Sequence, residues 1–595
     1  MIRFLPILLI SFIYYNVHAQ VASTYSISFE KAVHHEATIS ATFSNLKRDT
    51  VEITMARSSP GRYALHEFVK NVYNVKATDD KGKELNISRK DPYSWMIEGH
   101  NGTVTISYTL FANHGDGTYA QVDETHAHLN IPATFIYVPE LADQQIEVNF
   151  ILPENSDWKI ATQLKLQNDN RYHADNLQYF MDSPVEIANF KKHFFKVKGQ
   201  TINVILHDHA ASEEQFDTYF ENVKKLVLEQ EQVFGELPRY DYGEYTFLAC
   251  YMPNATGDGM EHRNSTMIPS TRSLSFGGNE QNIGTVAHEF FHCWNVERIR
   301  PDDLEPFDFQ KTNMSDALWF AEGFTNYYDA LSQCRTGIWT QDYYFKDMIR
   351  GFNYVWTSPG RAYFNPIGMS QLAPFNDAAK SIDETNFENI FISYYSYGEM
   401  LGLALDLSLR EKDLNLDDFM KLMWTDFGKV QKFYSVDDLH QTLKVYAGKK
   451  FADDFFTSYI YKSGMPDFER LFNQMGVVLK TNEDIAFGAT VRFQKIMRNP
   501  KIGSSAYEAG LQNGDKLIRV GLNFIDDNTD IASILKNYSI GEKIPVVYER
   551  FGIRKETQLM IKTETSYDIV PLENHSKQFD ENMKRKRREW LGSKL

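Results

Sequence analysis

Over the first third of the chain, apolar and polar residues alternate with a period of two. Tyr25-Ser26-Ile27-Ser28-Phe29, Ala37 to Phe43 and Val104-Thr105-Ile106-Ser107-Tyr108 each read as a half-buried strand. Turn formers such as Asp79-Asp80-Lys81-Gly82 separate them. The pattern predicts an antiparallel β domain over residues 20–192. From about residue 195 the period lengthens to that of a helix. Glu213 to Val233 is a long amphipathic stretch, Tyr245 to Cys250 is strand-like, and Tyr397 to Leu409 and Leu416 to Met423 return to helix. A mainly helical domain is expected over 193–468, closing near Ser463-Gly464-Met465-Pro466. Short strands with one or two helices fill 469–565. A helical tail, 566–595, carries the basic run Lys584 to Arg588, read as a solvated helix end. The expected class is multidomain α+β.

Residues 1–19 depart from this scheme. Arg3, an apolar core from Phe4 to Tyr15, and the small-residue end Val17-His18-Ala19 read as a secretory signal peptide. The core is short for a bilayer span, although an uncleaved anchor is the rival reading. Export to a bacterial periplasm or the cell exterior is expected, with no stable membrane span after cleavage. The terminal Ser593-Lys594-Leu595 matches a peroxisomal address, which a secretory start contradicts. A length of 595 residues exceeds what one core organises. The net charge of −17, without a broad basic patch, argues against a nucleic-acid partner. Three cysteines, Cys250, Cys293 and Cys334, make no disulfide framework.

Chemistry concentrates at His288-Glu289-Phe290-Phe291-His292. Residues four apart share a helix face, so both imidazoles can address one ion while Glu289 reaches a water beside it. Two imidazoles, a carboxylate and an open position make a catalytic zinc centre, one Zn2+ per chain. The third ligand is sought in Leu318 to Tyr328, where Glu322 is the sole acidic residue among Trp, Phe and Tyr. An ionised carboxylate there is costly unless a cation compensates it. Asn326, one turn on, is the candidate to orient an imidazole; Asp329, two turns on, carries less weight.

His-Glu-x-x-His followed by Trp319-Phe320-Ala321-Glu322-Gly323 resembles the gluzincin metallopeptidases, and most of all peptidase family M61, the glycyl aminopeptidase family, whose members carry a PDZ domain. Ser59-Pro60-Gly61-Arg62-Tyr63 with Glu67-Phe68, Gly257-Asp258-Gly259-Met260-Glu261-His262 and Tyr394-Tyr395-Ser396-Tyr397-Gly398 resemble further segments of that family. The resemblance implies a thermolysin-like catalytic domain and a Glu261 that holds the substrate's α-ammonium. It also implies Tyr395, three residues before Gly398, as donor to the oxyanion. Tyr394 is the nearest rival, and Tyr397 stands where the family usually has Lys. Independently, Gly257 and Gly259 allow the close backbone approach that a cleft edge needs. Ser504 to Ile518 looks like the PDZ signature of bacterial proteases, with a carboxylate nest near Phe487-Gly488-Ala489 and a C-terminal peptide as its ligand. The combined expectation is an exported zinc aminopeptidase acting on peptides with a free N-terminus, with Gly or Ala preference implied by the family name alone. A zinc endopeptidase of the same fold and a non-catalytic PDZ peptide binder are the alternatives.

Overall fold

The computed structural model describes residues 21–376, 383–574 and 579–593. The signal-peptide reading of residues 1–19 and the last two residues of the Ser593-Lys594-Leu595 tripeptide fall outside them.

The alternating segments form strands. The largest sheet has seven, in the order Lys165–Asn168, Arg171–Ala174, Ile146–Ile151, Ser23–Lys31, Glu36–Phe43, Val104–Phe111 and Val72–Thr78. Their period-two apolar residues, Ile27, Ile39, Ile106 and Val148 among them, face one core. The sheet is not wholly antiparallel: Ser23–Lys31 pairs in parallel with Ile146–Ile151. Alternation specifies which face is buried but not strand direction, so the sequence could not show this. A three-stranded and a four-stranded sheet complete the β region; the latter contains His126–Leu129 and Val185–Ala188. Phe307 and Phe309, far along the chain, enter the same core. Burying two such rings contributes up to about 3–6 kcal/mol to holding the β region against the helical one.

The second region begins with a five-stranded sheet, ordered Lys191–Val197, Gln200–His207, Glu244–Tyr251, Ser265–Ser270 and Met260–His262. The edge strand carries Glu261. Helix Glu213–Phe234 starts where Ser212 and Gln215 exchange capping hydrogen bonds and stops at Gly235, whose φ of 81° a side chain would disfavour. Helix Gly278–Phe291 bears the His288 motif and packs on helix Gly323–Arg335, which in turn packs on Tyr394–Arg410. The second contact is backbone to backbone. A Cβ on Gly398 would lie 1.8 Å from the Trp319 carbonyl oxygen, and one on Gly323 would lie 2.3 Å from Gly398 Cα. The two glycines therefore let these helices approach closely enough to bring Tyr395 to the site.

A third core, from Phe487 to Ile561, fills a small six-stranded unit. A long antiparallel pair, Val477–Ala486 with Lys562–Pro571, ties it to the helical region, and the second strand runs across position 566. The core of the helical region extends past 468 to Leu471, Phe472, Met475 and Val477. The basic run is only partly a solvated helix end: Arg585 and Arg588 are exposed, whereas Arg587 is not. Within helix Glu581–Leu591, Arg587, Trp590 and Leu591 share one face and are buried. The Trp590 indole donates to Tyr327 Oη at 2.9 Å, and Arg587 donates to the Met475 carbonyl at 2.8 Å. Among the described residues no helix is long and apolar enough to cross a membrane.

Candidate metal centre and active site

His288 sits on the last turn of helix Gly278–Phe291 and His292 caps its C-terminus; their Nε2 atoms face each other 3.0 Å apart. Their other nitrogens are engaged. His288 Nδ1 lies 3.1 Å from Asp329 Oδ2, and His292 Nδ1 lies 2.6 Å from the Asn295 carbonyl oxygen. Each Nδ1 is thereby held as the proton-bearing nitrogen, which turns two Nε2 lone pairs toward a common point. Glu322 Oε2 completes the triangle, 3.2 Å from His292 Nε2 and 3.6 Å from His288 Nε2. Zinc bonds of 2.0–2.2 Å arranged tetrahedrally place donors about 3.3–3.6 Å apart, so the three residues fit such an ion.

The electrostatics agree. Burial opposes charge on every group here. Against it, the carboxylates at Asp329 and Glu322 raise His288 well above the usual imidazole range, and Glu322 with Glu261 lifts His292 to about 9. Glu322, despite burial, is driven far below the carboxylate range by His292 and His288. The buried carboxylates thus favour positive charge at the point the two Nε2 atoms share, which a divalent cation can supply. Glu289 behaves oppositely: burial raises it to about 7, with the two imidazoles pulling down and Glu261 and Glu322 pushing up. Its Oε2 is buried without a partner, which suits a group whose partner is a transient water.

The neighbouring residues resolve several expectations. Asp329, not Asn326, orients His288; seven positions after Glu322, two helical turns, it returns to the same face. Asn326 instead reaches toward Glu399. Tyr395 is half-buried with its ring 6.0 Å from that of His288. Tyr394 is buried against Tyr63, and Tyr397 against Trp356. His262 bonds locally, its Nδ1 2.9 Å from Asp182 Oδ1. Cys293 packs below Tyr240. Glu261 is buried, and one of its oxygens lies within 4.8 Å of donor atoms of both Glu289 and His292. Burial raises its carboxyl above the ordinary range.

Two glycines shape the space around these carboxylates. A Cβ on Gly259 would fall 2.0 Å from Glu289 Oε1, and one on Gly61 would fall 2.9 Å from Glu261 Oε2. Arg62 clamps this edge from the β region, pairing with Asp258 and donating to the Gly259 carbonyl at 3.2 Å. A cleft lined by Gly257, Gly259, Thr285, His288 and Glu289 opens there. Tyr63 donates to Glu322 Oε1, leaving Oε2 for the metal position. Sequence reasoning gave Tyr63 no role. The only available signal was its place in Pro60-Gly61-Arg62-Tyr63, where a turn is followed by two residues able to bond carboxylates.

Residues 24–189 match the Peptidase M61 N-terminal domain, and residues 281–401 match the M61 glycyl aminopeptidase domain. The solved structure of an aminopeptidase N family protein from Idiomarina loihiensis is 23% identical, with a TM-score of 0.83 over 96% of this chain and 100% of that one. A mutant of the M1 zinc metallopeptidase of Deinococcus radiodurans, bound to a Tyr-Ser-Ala substrate, is 11% identical, with a TM-score of 0.45 over 75% and 94%. Yeast LTA4 hydrolase in complex with bestatin is 16% identical, with a TM-score of 0.45 over 74% and 67%. No curated protein matched. The chain is a metallopeptidase with a β-rich N-terminal region and a helical catalytic region. Over residues 24–189 and 281–401 it resembles peptidase family M61, and peptides are the substrates that a peptidase implies.

Proposed function

We propose that the chain is an exported zinc aminopeptidase that removes the first residue, Gly or Ala by preference, from peptides with a free N-terminus. The observation that carries this reading is Glu261. It is a buried carboxylate within 4.8 Å of the reacting groups, on an edge strand closed from behind by Gly61 and Arg62. A carboxylate so placed is costly to ionise by itself, and a substrate α-ammonium supplies the compensating charge.

His288, His292 and Glu322 would hold the zinc. When bound, zinc acidifies a water and polarises the scissile carbonyl. Glu289 takes a proton from the attacking water and delivers it to the departing amine, a role suited to a buried carboxylate whose Oε2 has no other partner. Tyr395 donates to the oxygen that gains charge. Glu261 fixes the register so that only the first peptide bond reaches Glu289. The small C-terminal unit is read as a PDZ domain. Its support is a separate core and the edge strand Val491–Arg492, which follows Phe487-Gly488-Ala489 and would pair with a C-terminal peptide.

The experiment is a panel of amino-terminal residue amides, free and N-acetylated, with and without chelator. Free Gly and Ala substrates are expected to turn over, and acetylation and chelation each to abolish the activity. Equal cleavage of acetylated peptides would establish an endopeptidase instead.

A further inference from the structure

A second group of metal-capable side chains lies outside this site, at the seam between two sheets. His126 and Glu186 come from the four-stranded sheet of the β region; His207 and Cys250 come from the five-stranded catalytic sheet. One donor atom from each lies within 4.8 Å of the other three, and all four residues are buried. Strand register makes this meeting. His207 is paired with Cys250 in the parallel pair, while His128 is opposite Glu186 and His126 opposite Ala188 in the antiparallel one.

Further polar groups hold these donors in place. His126 Nδ1 lies 3.0 Å from Asp123 Oδ1, so its remaining nitrogen is Nε2, which is buried and has no partner. Glu186 faces His207 Nδ1 at 3.0 Å with Oε1 and His128 Nδ1 at 2.9 Å with Oε2. Cys250 Sγ lies 3.6 Å from His207 Nδ1. Donors bound tetrahedrally to one zinc through sulfur and nitrogen stand about 3.5 Å apart. A carboxylate behind an imidazole, as Asp123 stands behind His126, is the usual outer support of a metal ligand. Left unmet, His126 Nε2 costs about 1–3 kcal/mol, which a metal ion would offset; His207 Nε2 is likewise buried without a partner.

Nucleophilic catalysis is a poor fit. The thiol and both imidazoles are at most 1% exposed, so no substrate reaches them. Moreover, His207 turns one and the same nitrogen to Glu186 and Cys250, whereas a relay uses opposite nitrogens.

We propose that His126, Glu186, His207 and Cys250 form a second, structural site for a divalent transition-metal ion, zinc by its donor set, joining the β region to the catalytic sheet. Four protein donors leave no open position, which is the arrangement of structural rather than catalytic zinc. The strand bearing Cys250 leads directly into the segment ending at Gly259, and Asn254 on that segment donates to Asp123 at 3.1 Å. An ion here would therefore anchor the base of the cleft edge. The proposal does not depend on which peptides the enzyme cleaves.

Cobalt substitution of the full chain tests it. The active-site donors contain no sulfur, so a near-ultraviolet thiolate-to-cobalt charge-transfer band reports the second site alone. The expected result is that band, with about two ions per chain by elemental analysis. Cys250→Ser should abolish the band and halve the metal content. Replacing both His288 and His292 by Ala should keep the band. The wild-type spectrum requires no variant to fold. If the band is absent at saturating cobalt, the four residues are a buried hydrogen-bonded cluster and the proposal is wrong.

Discussion

Replacing Gly259 by Ala isolates the geometry of the general base from its chemistry. The added methyl would sit 2.0 Å from Glu289 Oε1, 2.6 Å from its Cδ and 2.7 Å from Thr285 Cγ2. Ordinary contact begins near 3.4 Å, so something must yield by about 1.4 Å. Thr285, one turn before Glu289 on the same helix, blocks part of the escape route. Either the carboxylate or the cleft edge is therefore displaced by about an ångström. A misplacement of that size costs about 100-fold in rate, or about 2.7 kcal/mol of barrier. The backbone at 259 is not left-handed, so the substitution adds no backbone strain, and any loss of thermal stability comes from the clash alone, about 1–3 kcal/mol. The assay is kcat/KM on an amino-terminal residue anilide, with bound metal measured on the same sample. Activity within about threefold of wild type, at unchanged metal content, would refute the claim that Gly259 exists to admit Glu289.

Other substitutions separate the remaining roles. Glu289→Gln should keep its metal and lose about 100- to 10,000-fold in kcat; retention of wild-type turnover would remove Glu289 as the base. Tyr63→Phe and Asp329→Ala should each weaken metal affinity by about 10- to 100-fold in a chelator competition, while Asn326→Ala should not; equal loss in Asn326→Ala would return the orienting role to that residue. His262 is raised by Asp182 against the downward pull of burial. A folded pKa above the unfolded one stabilises fully below the unfolded value, about 6.5, and the gain fades as pH climbs through the folded value. The melting-temperature gap between wild type and His262→Gln should therefore be wide in mild acid and narrow as pH rises. A gap independent of pH would show that the pair does not titrate this way.

Much of the candidate site can be read along the chain because helical periodicity is a local property. Spacing by four brought His288 and His292 to one face, and the isolation of Glu322 among aromatic residues marked it as a charge in need of a cation. The Tyr395–Gly398 spacing was legible only through resemblance; its physical reason, two glycines letting helices touch, lies in the packing. Asp329 and Asn326 were both visible as helical neighbours of Glu322, but only the crossing of two helices decided which one meets His288.

The sequence by itself determined the period of each segment, hence which elements form and which of their faces are buried, because those follow from the backbone's own repeat. Tertiary structure alone decided what meets across elements distant in the chain. Tyr63 on Glu322, Phe307 and Phe309 in the β core, Trp590 beneath Tyr327, and the four donors from separate strands around Cys250 all depend on sheet order and strand direction. Side-chain alternation is the same for either direction and any order, so no local pattern encodes those choices.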